Sequence, residues 1–245
     1  MVNLTFIGMI FEAIIILIAF ILLILIFIKY IQKRHRLTLL LFFIFLCYWF
    51  AIFFSWLSKM LVLFSNIDYI IDDLVADPGT FFSWILLRIK DFRISFVFMS
   101  VAIFLSYILK VNVFEKGYNK VHRILVIIYT IITAGFSLFI YEKGNTLLDV
   151  IAFLFIFVFM AMIYIPFFIR SFGAYKESDD KIFKRAFLSL ALMSIFFILI
   201  PLNFLLDRVF ILFGDPGFTI FYFLAWTFAL LGIIGAYFGY IRPRS

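Results

Sequence analysis

The chain has 245 residues, 67% of them hydrophobic, 22% aromatic and only 14% charged, with a formal net charge of +7. So small a polar fraction leaves little material for a soluble domain. The basic excess lies between long apolar runs, where it is a topology signal that can also attract anionic lipid headgroups, so a lipid bilayer is the expected partner and nucleic acid is not.

Seven apolar stretches follow, each long enough or nearly so for the roughly 20 helical residues that cross a hydrocarbon core of about 30 Å. The first, 4–28, carries Glu12 and is followed by Lys29, Lys33, Arg34 and Arg36. It lacks the basic start and small-residue cleavage site of a secretory signal and is expected to stay as a helix. The second, 37–64, holds the single cysteine, Cys47, so no intramolecular disulfide can form, and it leads into an acidic loop with Asp68, Asp72, Asp73 and Asp77. The third, 78–109, precedes Lys110, Lys116, Lys120 and Arg123, and the fourth, 124–141, meets the short turn EKGNT. The fifth, 147–169, precedes Arg170, Lys176, Lys181, Lys184 and Arg185. The sixth, 186–206, and the seventh, 216–241, flank a turn with Asp207 and Asp215, and the sequence closes on RPRS.

The three basic loops and those closing residues hold 15 of the 21 lysines and arginines. By the positive-inside rule that side is cytoplasmic, which places the N-terminus outside and the C-terminus inside a multi-pass protein of the cell membrane. The expected fold is an all-α seven-transmembrane-helix bundle forming one domain, 1–245. An internal echo adds detail: Asp77-Pro78-Gly79 precedes the third helix and Asp215-Pro216-Gly217 the seventh. In each, Asp is expected to cap the helix and Pro to occupy its first turn. The echo suggests a 3+1+3 internal repeat of the parallel kind used by some small transporters.

Read as one helix, 78–109 measures roughly 48 Å at 1.5 Å per residue, more than a bilayer core needs, so it must protrude, tilt or break. Its outer half holds Arg88, Lys90, Asp91 and Arg93. On a continuous helix Arg88, Asp91 and Ser95 share one face, and Lys90 with Arg93 the opposite one. Intramembrane charges are costly and mark sites by default. Glu12, Lys59, Asp149 and Asp207 with Arg208 lie at matching depth, and all these groups belong to the outer half. An outward-facing polar vestibule is therefore expected, with Glu12, Arg88, Asp91, Arg93, Asp149, Asn203 and Asp207 as its ligand-binding candidates. Pro166 and Pro201 each free a backbone carbonyl and are hinge candidates. Gly232, Gly235, Ala236 and Gly239 make overlapping small-xxx-small pairs suited to close packing inside the bundle.

Several chemistries are excluded. The seventh helix has no lysine for a retinal Schiff base, and two histidines, His35 and His122, cannot complete a three-ligand catalytic zinc site. No nucleotide loop, serine nucleophile elbow or voltage-sensor arginine row is present. No catalytic constellation, metal or cofactor is expected. The sequence favours a receptor-like sensor or membrane adaptor that binds a small ligand on its outer side and signals through a separate membrane or cytoplasmic protein partner. The alternative is a small transporter with a 3+1+3 parallel repeat. Against it, the inner halves offer few polar residues, chiefly Thr130, Thr133, Ser189 and Ser194.

Overall fold

The computed structural model describes residues 2–64, 80–115, 117–140 and 145–241. The four loop aspartates, the Asp77-Pro78-Gly79 tripeptide, Lys116, residues 142–144 of the short turn and the closing RPRS lie outside the described residues. Eight α-helices follow in order: α1 Val2–Lys33, α2 Arg36–Phe64, α3 Phe81–Lys90, α4 Arg93–Phe114, α5 Lys120–Phe139, α6 Thr146–Glu177, α7 Lys181–Leu212 and α8 Ile220–Ala236. The last continues as a π-helical turn, Tyr237–Ile241. Seven of these, all but α3, are long and apolar enough to cross a membrane, and no strand occurs among the described residues. The protein is an all-α seven-helix membrane bundle.

Helix starts follow local chemistry. The Asn119 side chain accepts from the amides of Val121 and His122, and Asp180 Oδ1 accepts from the Ile182 amide at 2.7 Å, satisfying donors that a helix start leaves open. Helix directions can be read from contacts at the two ends. Glu12 meets Lys59, near the start of α1 and the end of α2, so these two helices are antiparallel. Glu12 also meets Tyr222 near the start of α8, while Lys29 near the end of α1 donates to the carbonyls of Tyr240 and Ile241. Helices α1 and α8 therefore run parallel. The second contact also satisfies carbonyls where the helix widens into its π turn.

Lipid is as apolar as leucine, so helix association in a bilayer depends on close packing and interhelical hydrogen bonds. Both occur between α7 and α8. A Cβ added at Gly235 would lie 3.1 Å from Met193 Cβ and 3.3 Å from the Ser189 carbonyl oxygen. One at Gly232 would collide with the Phe197 ring, and one at Gly239 with Leu190. Ser189 Oγ also donates to the Gly235 carbonyl at 2.9 Å. The small-residue row is thus an internal seam of the bundle.

Two sequence expectations need correction. The third span is not one helix over 78–109. It breaks between Lys90 and Arg93, where Asp91 ends α3 and Phe92 takes the left-handed conformation, φ 61° and ψ 10°. The break occurs without proline or glycine and leaves a ten-residue α3 and a 22-residue α4 of ordinary spanning length. The shared faces inferred for Arg88, Lys90, Asp91 and Arg93 on a continuous helix do not survive it. The seventh helix, expected over 216–241, starts at Ile220 instead, with Thr219 as its N-cap residue. Asp215 Oδ1 accepts only from the Gly217 amide, inside the loop, and Pro216 precedes the helix. Thr80 likewise caps α3, its hydroxyl accepting from the Ser83 amide at 3.2 Å.

Pro166 and Pro201 lie inside α6 and α7, both of which continue through them. Phe92, by contrast, interrupts the helical backbone between α3 and α4.

Candidate functional site

The charged residues that the sequence places at one depth come together at the end of the bundle where α1 and α8 begin. Glu12 and Lys59 are fully buried and paired at 2.8 Å. The same carboxylate oxygen, Oε1, accepts from Ser55 Oγ at 3.0 Å and from the Tyr222 hydroxyl at 2.8 Å. One oxygen thereby gathers α1, α2 and α8, while Glu12 Oε2 is buried without a hydrogen-bond partner. A buried carboxylate is tolerated because it is both ion-paired and hydrogen-bonded.

The break in the third span supplies the next layer. Lys59 Nζ stands 4.7 Å from the centroid of the Phe92 ring, and Arg208 Cζ stands 5.3 Å from it. Phe92 is thus flanked by two cations, an arrangement in which the π face offsets part of the cost of removing them from water. The break is anchored by Ser58 Oγ, which donates to the Lys90 carbonyl. At the first position of α4, Arg93 Nη2 meets Asp149 Oδ1 of α6 at 2.8 Å; the arginine is buried and the aspartate partly exposed.

The remaining candidates have other partners. Arg88 stacks 3.7 Å over the Trp84 ring and donates to the carbonyls of Trp84 and Leu138, which ties α3 to the end of α5. Asp91 ends α3. The Asn203 amide donates to the Leu199 carbonyl one turn back at 2.7 Å. Asp207 Oδ1 accepts from both the amide and hydroxyl of Thr219, at 2.9 and 2.8 Å, so it fixes the entry to α8. Glu12, Arg88, Arg93, Asn203 and Asp207 are all buried. Instead of the expected open polar vestibule, the structure holds paired side chains packed between helices.

Below this cluster lies a cavity of about 80 Å³. Along α7 its wall runs from Arg208 through Phe204 and Ile200 to Phe197, and along α2 from Ser55 to Phe45. Ten to eleven residues at 1.5 Å each give a length of about 15 Å. Most lining side chains are aromatic or aliphatic, and among the described residues none is a carboxylate. The far end is marked by Tyr48, whose hydroxyl is 2.9 Å from that of Tyr164, itself 2.9 Å from Ser106 Oγ. Three residues of this region have no charge or motif to mark them: Ser55, Phe92 and Tyr222 sit in apolar runs that read as packing, whereas helical spacing places Ser95 with Arg88 and Asp91. Of the three, only Ser55 carries a periodic signal, one turn before Lys59.

Among the described residues no three His, Cys, Asp or Glu side chains converge as a metal site would require. No family model matches the chain, and neither a curated protein nor a solved structure is significantly similar to it.

Proposed function

We propose that the protein is a receptor-like membrane sensor that takes a small, largely apolar molecule into the cavity between α2, α4, α6, α7 and α8. Occupancy is passed to a separate protein partner at the end bearing the basic loops. The single observation that carries this reading is the cavity, lined by Phe96, Phe153, Phe204 and Trp226 and bordered at one end by Ser55, Phe92 and Tyr222, which contact the Glu12–Lys59 pair. Apolar walls with a few convergent polar groups are the usual character of a small-molecule site. The charged end is taken as the outer face and the basic loops as cytoplasmic, on the loop charge bias.

The transporter alternative draws support from the interrupted third span, since discontinuous helices line substrate sites in several transporter folds. The hydroxyls toward the other end weigh against it. Thr130, Thr133 and Ser194 donate to carbonyls one turn back, and Ser189 donates to Gly235, so the donor protons of these four are already engaged.

Dodecanol titrated into protein in zwitterionic nanodiscs provides the test. It is expected to raise the melting temperature of the wild type and not that of Ala229→Trp, which fills the cavity wall. Equal response of the two proteins would sink the binding reading. A cysteine at Ser194 that becomes reactive to a small polar thiol reagent only when dodecanol is present would favour transport instead.

A further inference from the structure

The proposed binding reading leaves the polar identity of the ligand open, and the hydroxyl chain at the far end of the cavity narrows it. Tyr48 lines the cavity, whereas Tyr164 and Ser106 lie behind it, 2% and 3% exposed. Ser106 Oγ is 2.8 Å from the Ala102 carbonyl oxygen and 2.9 Å from the Tyr164 hydroxyl, which is itself 2.9 Å from that of Tyr48. Each hydroxyl has one proton to give, and a proton without an acceptor in a dry interior is costly.

A carbonyl oxygen can only accept, so the direction of the chain follows from its fixed end. With Ser106 donating to Ala102, Tyr164 donates to Ser106 and Tyr48 to Tyr164, and all three protons are placed. In the opposite direction Ser106 donates to Tyr164, its bond to Ala102 is lost and the Tyr48 proton is left facing an apolar space. An empty cavity therefore selects the first arrangement. Tyr48 then has no proton to offer and keeps an unused lone pair on its oxygen, so it can serve a ligand only as an acceptor.

The wall around Tyr48 adds no rival to it. Trp49 donates its indole proton to the Ile16 carbonyl at 3.2 Å, and the rings packed on Tyr48 are those of Phe45 and Phe197. At the charged end the opposite chemistry holds, since the Ser95 hydroxyl and the Trp226 indole are donors without a hydrogen-bond partner. A cationic donor such as an ammonium group is disfavoured throughout, because no carboxylate lines the cavity to balance it. The space itself is narrow: some 80 Å³ distributed over about 15 Å suits one extended chain. We infer that the ligand is a neutral long-chain alcohol whose hydroxyl donates to Tyr48 and whose chain runs from there toward the charged end.

This inference rests on the binding reading, and one experiment separates the two. Dodecanol and undecyl methyl ether, matched in carbon and oxygen count, are each titrated into full-length protein in zwitterionic nanodiscs. Affinity is read from the dependence of the melting temperature on the mole fraction of probe in the bilayer. Dodecanol is expected to bind about fivefold more tightly, the worth of one net hydrogen bond. Tyr48→Phe, which leaves Tyr164 its acceptor, should erase the difference. Ser106 is a positioning residue, and its signature is the sign of the preference. In Ser106→Ala the Tyr164 proton finds its acceptor in Tyr48 and the Tyr48 proton turns to the cavity, so the ether should become the tighter ligand. Tyr164→Phe frees the Tyr48 proton directly and should do the same. Equal affinities in the wild type would put the polar atom against the Ser95 and Trp226 donors instead, overturning the alcohol inference while leaving the cavity reading intact. A dodecanol preference that survives Tyr48→Phe, or both of the other substitutions, would overturn it too. Failure of both probes, or equal binding of dodecanol by the wild type and Ala229→Trp, would overturn both readings. If Tyr48→Phe does not fold, the wild-type comparison and the two sign-reversing variants still decide the matter.

Discussion

Glu12 and Lys59, separated by 46 residues of chain, form an ion pair 2.8 Å long with neither side chain reachable by solvent. Removing one partner strands the other charge in a dry interior, at a cost of about 3 kcal/mol or more. Glu12→Gln and Lys59→Met should each lower the melting temperature in detergent by many degrees. The double substitution should recover most of that loss, because it removes both desolvation penalties together. Differential scanning fluorimetry of the four proteins closes the cycle, and simple additivity of the two losses would count against a coupled pair.

The Arg93–Asp149 pair is a milder case, since Asp149 retains 28% side-chain exposure. Arg93→Leu should cost about 1 to 2 kcal/mol through the stranded carboxylate, with part of it restored by Asp149→Asn in the same chain. An Arg93→Leu protein that melts like the wild type would show that Arg208, whose charge also acts on Asp149, or water and headgroups serve the carboxylate equally well.

At Phe92 two effects oppose each other. The left-handed backbone disfavours any residue with a Cβ by about 1 to 2 kcal/mol, whereas the ring is shared by Lys59 and Arg208. Phe92→Ala loses the ring and keeps the strain; Phe92→Gly loses the ring and relieves it. The glycine protein should therefore be the more stable of the two by about 1 kcal/mol, measured as the difference in unfolding midpoint. The reverse order would mean that the break does not persist without the aromatic ring.

The α7–α8 seam gives a graded expectation. At Gly235 an added methyl meets Met193 Cα and the Ser189 carbonyl at 3.3 Å, and backbone cannot step aside. At Gly232 it meets a Phe197 ring that borders the cavity and has space to turn into. Gly235→Ala should cost about 1 to 3 kcal/mol as an overpacked contact, and Gly232→Ala less. Gly232→Ala should also weaken dodecanol binding, because the displaced ring takes up cavity volume. A titration on the two variants checks both statements.

Orientation is tested by single cysteines at Asp72 and Lys176 in a Cys47→Ser background, exposed to an impermeant thiol reagent in intact cells and in inverted vesicles. The charge bias places them on opposite faces, with Asp72 outside. Labelling of both from one side is the outcome that the topology cannot accommodate.

How much of this was legible in the sequence depends on what each residue needed from its neighbours. The seven spans were readable because length and hydropathy are summed over about 20 residues, and single exceptions such as Glu12 hardly change the sum. The meeting of Glu12 with Lys59 was foreshadowed by their equal depth. Tyr222 was not: nothing distinguishes it among twelve tyrosines until α8 is laid parallel to α1. The break at Phe92 left no proline or glycine to mark it. What marked it was excess length, together with Lys90, Asp91 and Arg93 at a depth where a continuous helix would face them in opposite directions. That the Ser95 hydroxyl and the Trp226 indole are unpaired was hidden in the same way, because an unpaired donor becomes visible only once its surroundings are known.

The partners of Glu12 are spread along the whole order of synthesis. Ser55 and Lys59 are made soon after it and can neutralise the carboxylate while the first two helices are still a hairpin leaving the insertion machinery. Tyr222 comes 210 residues later. A nascent chain that has not yet delivered α8 therefore carries a carboxylate lacking one of its three donors and a cavity without the wall formed by Tyr222, Trp226, Ala229 and Ile233. Completion of this bundle is a chemical event registered at residue 12, so an unfinished copy is distinguishable from a mature one by a single acidic group near its beginning.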